Sequence, residues 1–193
     1  ASGSGSIKPP IKGLEEVGFL GFHTLEDYYK LLAASRKEEI AILGGGLVGT
    51  ELAEALSEAG HKVKLIEKEQ QILPLYFDPP AATYIEDILH SRGIEVFCGR
   101  EVSEVRKRGE QVELSCANGD LILTDLLIIC IGAGANVAFL AGSGNKLKRG
   151  IVVDNQMRVS AEDIYAAGDV AEAANFFSAE LGTNAIVPTA VDQ

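Results

Sequence analysis

The sequence predicts an α/β fold: a central parallel sheet with helices on both faces, carrying a small antiparallel three-stranded insertion. Three observations support this. Apolar runs of strand length alternate with amphipathic stretches of helix length, the rhythm of strand–helix–strand units. The run Leu126–Ile131 is apolar throughout, as strands buried on both faces of a parallel sheet are. Between Val102 and Leu123 the rhythm shortens, and Asn118-Gly119 supplies a hairpin signal.

In chain order, Ala1–Ser6 is a Ser/Gly segment that reads on its own as a linker, and Pro9-Pro10-Ile11-Lys12-Gly13 as extended chain. Thr24-Leu25-Glu26-Asp27 has the form of a capping box, and Leu25, Tyr28, Leu31 and Leu32 follow at helical spacing. A charged turn, Ser35 to Glu39, leads into the strand Ile40–Leu43. The helix Val48–Ala59 is closed by Gly60. Val63–Ile66 is a second strand. Leu73–Pro80 is a loop in which Asp78 caps the next helix, with Pro79 in its first turn and Ile85, Ile88 and Leu89 as its stripe. Gly93 ends that helix and Ile94–Phe97 is the third strand. Val102–Arg106, Gln111–Cys116 and Leu121–Leu123 form the antiparallel insertion, and Leu126–Ile131 returns to the parallel sheet. Ile151–Asp154 is a further strand. Ile164–Ala171 reads as an apolar strand passing through Gly168-Asp169 into a small-residue helix.

The strand, turn and helix from Ile40 to Ala53 contain G-x-G-x-x-G at Gly44, Gly46 and Gly49. The first glycine permits a tight reversal, the second lets backbone approach a pyrophosphate, and the third lets helix and strand pack closely. Leu47 and Val48 open the helix, whose N-terminal amides and dipole favour phosphate. Glu67 ends the second strand 18 residues past Gly49, where an acid accepts hydrogen bonds from both adenosine ribose hydroxyls. Its charge repels a 2′-phosphate, so NAD(H) is expected over NADP(H), with Lys68 the nearby cation. A strand-end glutamate merely solvated beside Lys68 is the plainer reading. The fingerprint makes the fold Rossmann-like, with three layers.

Composition narrows the function. A net charge of −11 disfavours nucleic acid and anionic membrane surfaces. The most apolar stretch, Leu121–Ile131, is interrupted by Thr124 and Asp125 and is too short to span a bilayer. No signal peptide is recognised at the start, and the expected location is cytoplasmic. Cys98, Cys116 and Cys130 lie in apolar runs without C-x-x-C, which reads as buried reduced thiols. His23, His61 and His90 share no metal-like spacing, so no metal site is expected. Asp125 and Asp163 form no evident pair, and no Ser-His-Asp arrangement is visible.

Several patterns then line up in one order. Ala1-Ser2-Gly3-Ser4 with Pro9-Pro10-Ile11-x-Gly13 resembles the segment by which two-dinucleotide flavoproteins leave their flavin domain. Gly44-Gly45-Gly46-x-x-Gly49-x-Glu51-x-Ala53 resembles their nicotinamide fingerprint. Thr124-Asp125 with Gly132 and Asn136 resembles their return crossing, and Ile164–Val170 their second flavin-contacting motif. The chain thus resembles the FAD-dependent pyridine nucleotide-disulphide oxidoreductases, in the branch of NADH oxidases, nitrite reductase flavin modules and rubredoxin reductases. It departs at Val159, where the family has Thr, and at Ala135, where it has Pro.

The resemblance makes Ala1–Ser6 native sequence. It implies pyrophosphate at Gly44, Gly46 and Gly49, ribose at Glu67, and nicotinamide near Glu51 and Gly132. Gly168 and Asp169 would meet the flavin. Glu51 reads equally as an acid favoured by the helix dipole. These 193 residues hold no second fingerprint for the ADP half of FAD, and the resemblance implies that it, with any redox cysteines of the family, would belong to a part ahead of Ala1. The expectation is therefore a fragment: residues 1–16 a flavin-domain remnant and crossover, 17–136 the NAD-binding domain, and 137–193 a second flavin-domain remnant. It would hold no flavin alone, Asp169 would contact nothing, and Phe176, Phe177, Ile186 and Val187 would drive self-association. The full protein would pass a hydride from NADH to FAD, then electrons to an unknown acceptor such as a redox protein. A stand-alone NAD-binding or sensing module is the alternative. A methyltransferase would explain neither Gly49 nor Gly168-Asp169. The catalytic residues remain unknown, since the hydride chemistry belongs to the cofactors.

Overall fold

In the computed structural model, residues 2–34, 38–175 and 180–183 are described. Ala1, part of the Ser35–Glu39 turn, Phe176, Phe177, Ile186 and Val187 lie outside them. The elements in order are β1 (Ser4–Ser6), α1 (Leu14–Val17), β2 (Leu20–Gly21), α2 (Leu25–Ala33), β3 (Glu39–Leu43), α3 (Leu47–Glu58), β4 (Lys62–Ile66), α4 (Pro79–Ser91), β5 (Glu95–Phe97), β6 (Val102–Arg108), β7 (Gln111–Cys116), β8 (Leu121–Thr124), β9 (Leu126–Ile129), β10 (Ala133–Ala135), β11 (Ile151–Val152), β12 (Ala171–Ala174) and β13 (Leu181–Gly182). They form two compact units, one of residues 8–132 and one of 1–7 with 133–193.

The larger unit is α/β and Rossmann-like. Its five-stranded parallel sheet runs β2-β9-β3-β4-β5. Ile40 and Ile42 face one side and Ala41 and Leu43 the other, and all four are buried. That is why β3 reads as a continuous apolar run rather than an alternation. On the first side lie Leu31 of α2, Leu52, Ala53 and Leu56 of α3, and Leu89 of α4. The second side is covered by the antiparallel sheet β6-β7-β8, through Val102, Val105, Val112, Leu114, Cys116 and Ile122, with Leu14 of the one-turn α1 beside them. Helices on both faces, the usual expectation for a parallel sheet, therefore give way to three layers: helices, parallel sheet, antiparallel sheet. The insertion takes the place of the second helical layer.

Local signals set several boundaries. Thr24 caps α2, accepting Asp27 N–H at 3.2 Å while Asp27 Oδ2 accepts Thr24 N–H at 2.9 Å. Asp78 caps α4 through Ala81 N–H at 3.1 Å. Asp125 closes the N-terminal edge of the sheet, accepting from Glu38 N–H, Glu39 N–H and the Gln111 amide. Of the expected α2 stripe only Leu31 is buried; Leu25, Tyr28 and Leu32 are exposed, as is Ile88 on α4.

The smaller unit departs from expectation. Ile164–Ala167 forms no strand beyond one bridge between Tyr165 and Arg158, and among the described residues no helix follows Asp169. Residues 171–174 instead form β12, paired parallel with β11 and antiparallel with β13. The Ala-Glu-Ala-Ala composition favours helix, but pairing with Ile151 and Val152 overrides it. Buried Glu172 reinforces the pairing by accepting Gly150 N–H at 3.0 Å. Asp154 lies outside β11 and turns the chain, accepting from Gln156 and Arg158 N–H.

Candidate functional site

The three neighbouring strands β9, β3 and β4 deliver their C-terminal ends to one edge of the larger unit. After β3 come Gly44–Gly46 and α3; after β4 come Glu67 and Lys68; after β9 come Cys130, Ile131 and Gly132. From β3 the chain proceeds to β4 on one side and later returns as β9 on the other. Such a reversal of strand order opens a crevice at the carboxyl ends of the strands.

The four glycines between β3 and the first turn of α3 are there for different reasons. Gly44 has φ +113°, and a Cβ on it would lie 2.5 Å from Cys130 O, so it serves both the turn and the close approach of β9. A Cβ on Gly49 would fall 1.9 Å from Gly44 O, so this position lets α3 pack on its own strand. A Cβ on Gly45 would meet Glu67 Cβ at 3.0 Å and Ile72 Cγ2 at 3.1 Å. Gly46 has neither reason: its φ is −79°, open to any residue, and a Cβ there would meet nothing within 4 Å.

Gly46 is the N-cap of α3 and supplies no capping side chain, and the first turn holds no acid. The first intrahelical bond is Thr50 N–H to Gly46 O at 2.9 Å. The amides of Leu47, Val48 and Gly49 ahead of it are among those a helix cannot satisfy internally. Leu47 and Val48 are exposed, at 44% and 48%.

Glu67 is 7% exposed and bends back to the turn. Its Oε2 accepts Gly45 N–H at 2.7 Å and its Oε1 accepts Glu69 N–H at 2.9 Å. The plain solvated glutamate is therefore not what the structure shows. Lys68 points outward, 3.6 Å from the Glu69 carboxylate. Glu51 lies one turn along α3, lining a groove of about 500 Å³ with Phe22, His23, Val48 and Leu52 among others. Gly132 has φ +109° and is exposed.

The remaining candidates sit in the smaller unit. Gly168 turns the chain at φ +79°, and Ala171 N–H donates to its carbonyl at 2.9 Å. Asp169 is not without contacts, contrary to expectation: its Oδ2 accepts the Ser4 hydroxyl at 2.5 Å. β1 reaches it by pairing with β10, a non-local arrangement.

Gly45 is the residue that motif reasoning passed over. The template leaves its position free, yet its N–H holds Glu67; the run of three consecutive glycines was the available signal. The thiols of Cys98 and Cys130 are pushed up to about 12 by burial, Glu86 contributing at Cys98, so neither is ionised at neutral pH. Among the described residues no three His, Cys, Asp or Glu side chains gather as a metal-holding group, and no helix is long and apolar enough to cross a membrane.

Comparison with known proteins agrees with this geometry. The sequence pattern of the family Pyridine nucleotide-disulphide oxidoreductase matches residues 1–193. The NADH-dependent phenylglyoxylate dehydrogenase subunit epsilon of Aromatoleum evansii is 34% identical over 194 residues, covering 100% of this chain and 46% of that protein. The rubredoxin-NAD(+) reductase of Alcanivorax borkumensis is 33% identical over 174 residues, covering 89% of this chain and 46% of its own length. Among solved structures, the water-forming NADH oxidase from Lactobacillus brevis bound to NADH superposes with a TM-score of 0.93 at 29% identity, over 99% of this chain and 43% of that one. The chain thus spans less than half the length of these relatives.

Proposed function

The chain belongs to the pyridine nucleotide-disulphide oxidoreductase family, and on that premise we propose that it is the NAD(H)-binding portion of an FAD-dependent oxidoreductase. The observation that carries this is Gly46. A glycine required by neither backbone nor neighbours, at the uncapped start of α3, leaves room for a group to lie on the helix amides. A dinucleotide pyrophosphate fits that cradle. In this reading Gly44 and Gly49 set its shape, Gly46, Leu47 and Val48 hold the phosphates, and Glu67 takes the adenosine ribose. Glu51 and Gly132 flank the nicotinamide, Lys68 stands at the rim, and the larger unit, residues 8–132, is the nicotinamide domain. Residues 1–7 and 133–193 belong to the flavin side, where Gly168 and Asp169 would meet FAD; a carboxylate that accepts one bond from Ser4 keeps capacity for more.

With both cofactors bound, the chemistry supplied is hydride transfer from reduced nicotinamide to flavin. The chain's own groups orient the nicotinamide ring and keep water from it. The rubredoxin-NAD(+) reductase relative acts on a redox protein, and an acceptor of that class is proposed here.

Glu67 gives the test. Each of its oxygens already accepts one backbone N–H and retains a lone pair for a ribose hydroxyl. Its negative charge would face a 2′-phosphate. Titration by NADH fluorescence should show NADH bound more tightly than NADPH, and Glu67→Gln should narrow that ratio by about tenfold, a loss of roughly 1.4 kcal/mol of discrimination. A preference for NADPH, or a ratio unmoved by Glu67→Gln, would refute the assignment.

A further inference from the structure

A carboxylate outside the proposed site is bonded to the loop that holds the turn within it. Gly45 is held on both sides of its residue: its N–H donates to Glu67, and its carbonyl accepts Leu73 N–H at 2.7 Å. The Thr50 hydroxyl adds a longer bond to that carbonyl at 3.4 Å. Leu73 reaches Gly45 with φ +51°, a left-handed conformation that a bulky residue keeps only where its surroundings impose it. Those surroundings are specific. Leu73 is 4% exposed and Ile72 is fully buried, packed where a side chain on Gly45 would fall. Ile72 N–H donates to Oε1 of Glu86, on α4, at 3.2 Å. The same oxygen accepts the Cys98 thiol at 3.4 Å, just past β5. One carboxylate thus joins α4, the end of β5 and the loop after Glu67, and that loop holds the fingerprint turn. Glu86 has no part in the G-x-G-x-x-G pattern.

Resting on the nucleotide reading above, we infer that Glu86 is a positioning residue for dinucleotide binding, acting through Ile72 and Leu73 on the Gly45-Gly46 backbone. Its removal frees the Ile72 amide. Leu73 then relaxes toward an unstrained φ, and the Gly45 carbonyl loses the partner that fixes the peptide plane leading into Gly46. The effect falls first on the pyrophosphate cradle; at the ribose end Glu67 keeps its second bond, from Glu69 N–H.

The test titrates the 193-residue chain, Glu86→Ala and Glu86→Gln with NADH and, separately, with AMP, alongside thermal melts. Glu86→Ala is expected to weaken NADH about tenfold and AMP by less than about threefold, because AMP places one phosphate instead of a bridged pair. Glu86→Gln keeps an oxygen acceptor and should restore NADH affinity to within about threefold of the parent chain. A carboxylate that only stabilised the fold would move both ligands alike, or move only the melting temperature; either result overturns the inference. So does unchanged NADH affinity in folded Glu86→Ala, which leaves the nucleotide reading intact. If the parent chain itself fails to bind NADH, that reading falls and the inference with it. Should Glu86→Ala not fold, Glu86→Asp decides: its shortened side chain should cost NADH affinity selectively, and an unchanged affinity overturns the inference.

Discussion

Gly46→Ala is expected to weaken NADH binding by roughly 30- to 150-fold, the equivalent of about 2–3 kcal/mol for charge-assisted hydrogen bonds lost to a displaced phosphate. Stability should fall by no more than about 1 kcal/mol, the cost of a poorer N-cap. The split follows from geometry. At φ −79° and ψ −172° alanine is as comfortable as glycine, and its Cβ enters open space. In the proposed reading, the same methyl occupies the open space left for the pyrophosphate. Isothermal titration and urea denaturation of the variant measure the two effects separately. A variant that binds NADH normally would show that the open space at Gly46 is not the phosphate cradle.

Gly49→Ala should do the reverse. Its methyl would be placed 1.9 Å from Gly44 O, a backbone atom of a residue tied to the end of β4 by its own N–H bond to Ile66 O at 2.8 Å. Side-chain rotation cannot relieve such an overlap. α3 must lift from β3, separating Leu52, Ala53 and Leu56 from Ile40 and Ile42. A loss of about 3 kcal/mol or more is expected, at the upper end of overpacking costs because backbone has to move. A urea midpoint equal to that of the parent chain would contradict the close contact. The two glycines stand three residues apart and match the same motif, yet one is expected to serve the ligand and the other the fold.

What could be read from the sequence had local causes. Gly44 and Gly49 answer steric demands made within a few residues, and Thr24-x-x-Asp27 and Asp78-Pro79 carry their capping chemistry with them. What could not be read depends on partners distant in sequence. β12 is composed like a helix and becomes a strand because β11 lies beside it. β2 is two residues long, too short for any periodicity, and joins the sheet by pairing with Ile128 and Ile129. The antiparallel sheet was visible as hairpins, but its replacement of a helical layer shows only when Val105, Leu114 and Ile122 meet Ala41, Leu43 and Ile129. At the site the acid at Glu67 was legible from its spacing. Its bond to Gly45 was not, because the motif leaves that position free. The Ser4–Asp169 bond spans 165 residues and has no local signature.

The proposed site is tested most directly by following the backbone amide resonances of the isotope-labelled 193-residue chain as NADH is added. Saturable shifts are expected, concentrated at Gly45, Gly46, Leu47, Val48 and the Glu67–Glu69 segment, with little change in the antiparallel strands between Val102 and Thr124. Shifts that fail to saturate, or that centre away from the Gly44–Gly49 turn, would contradict the proposed site.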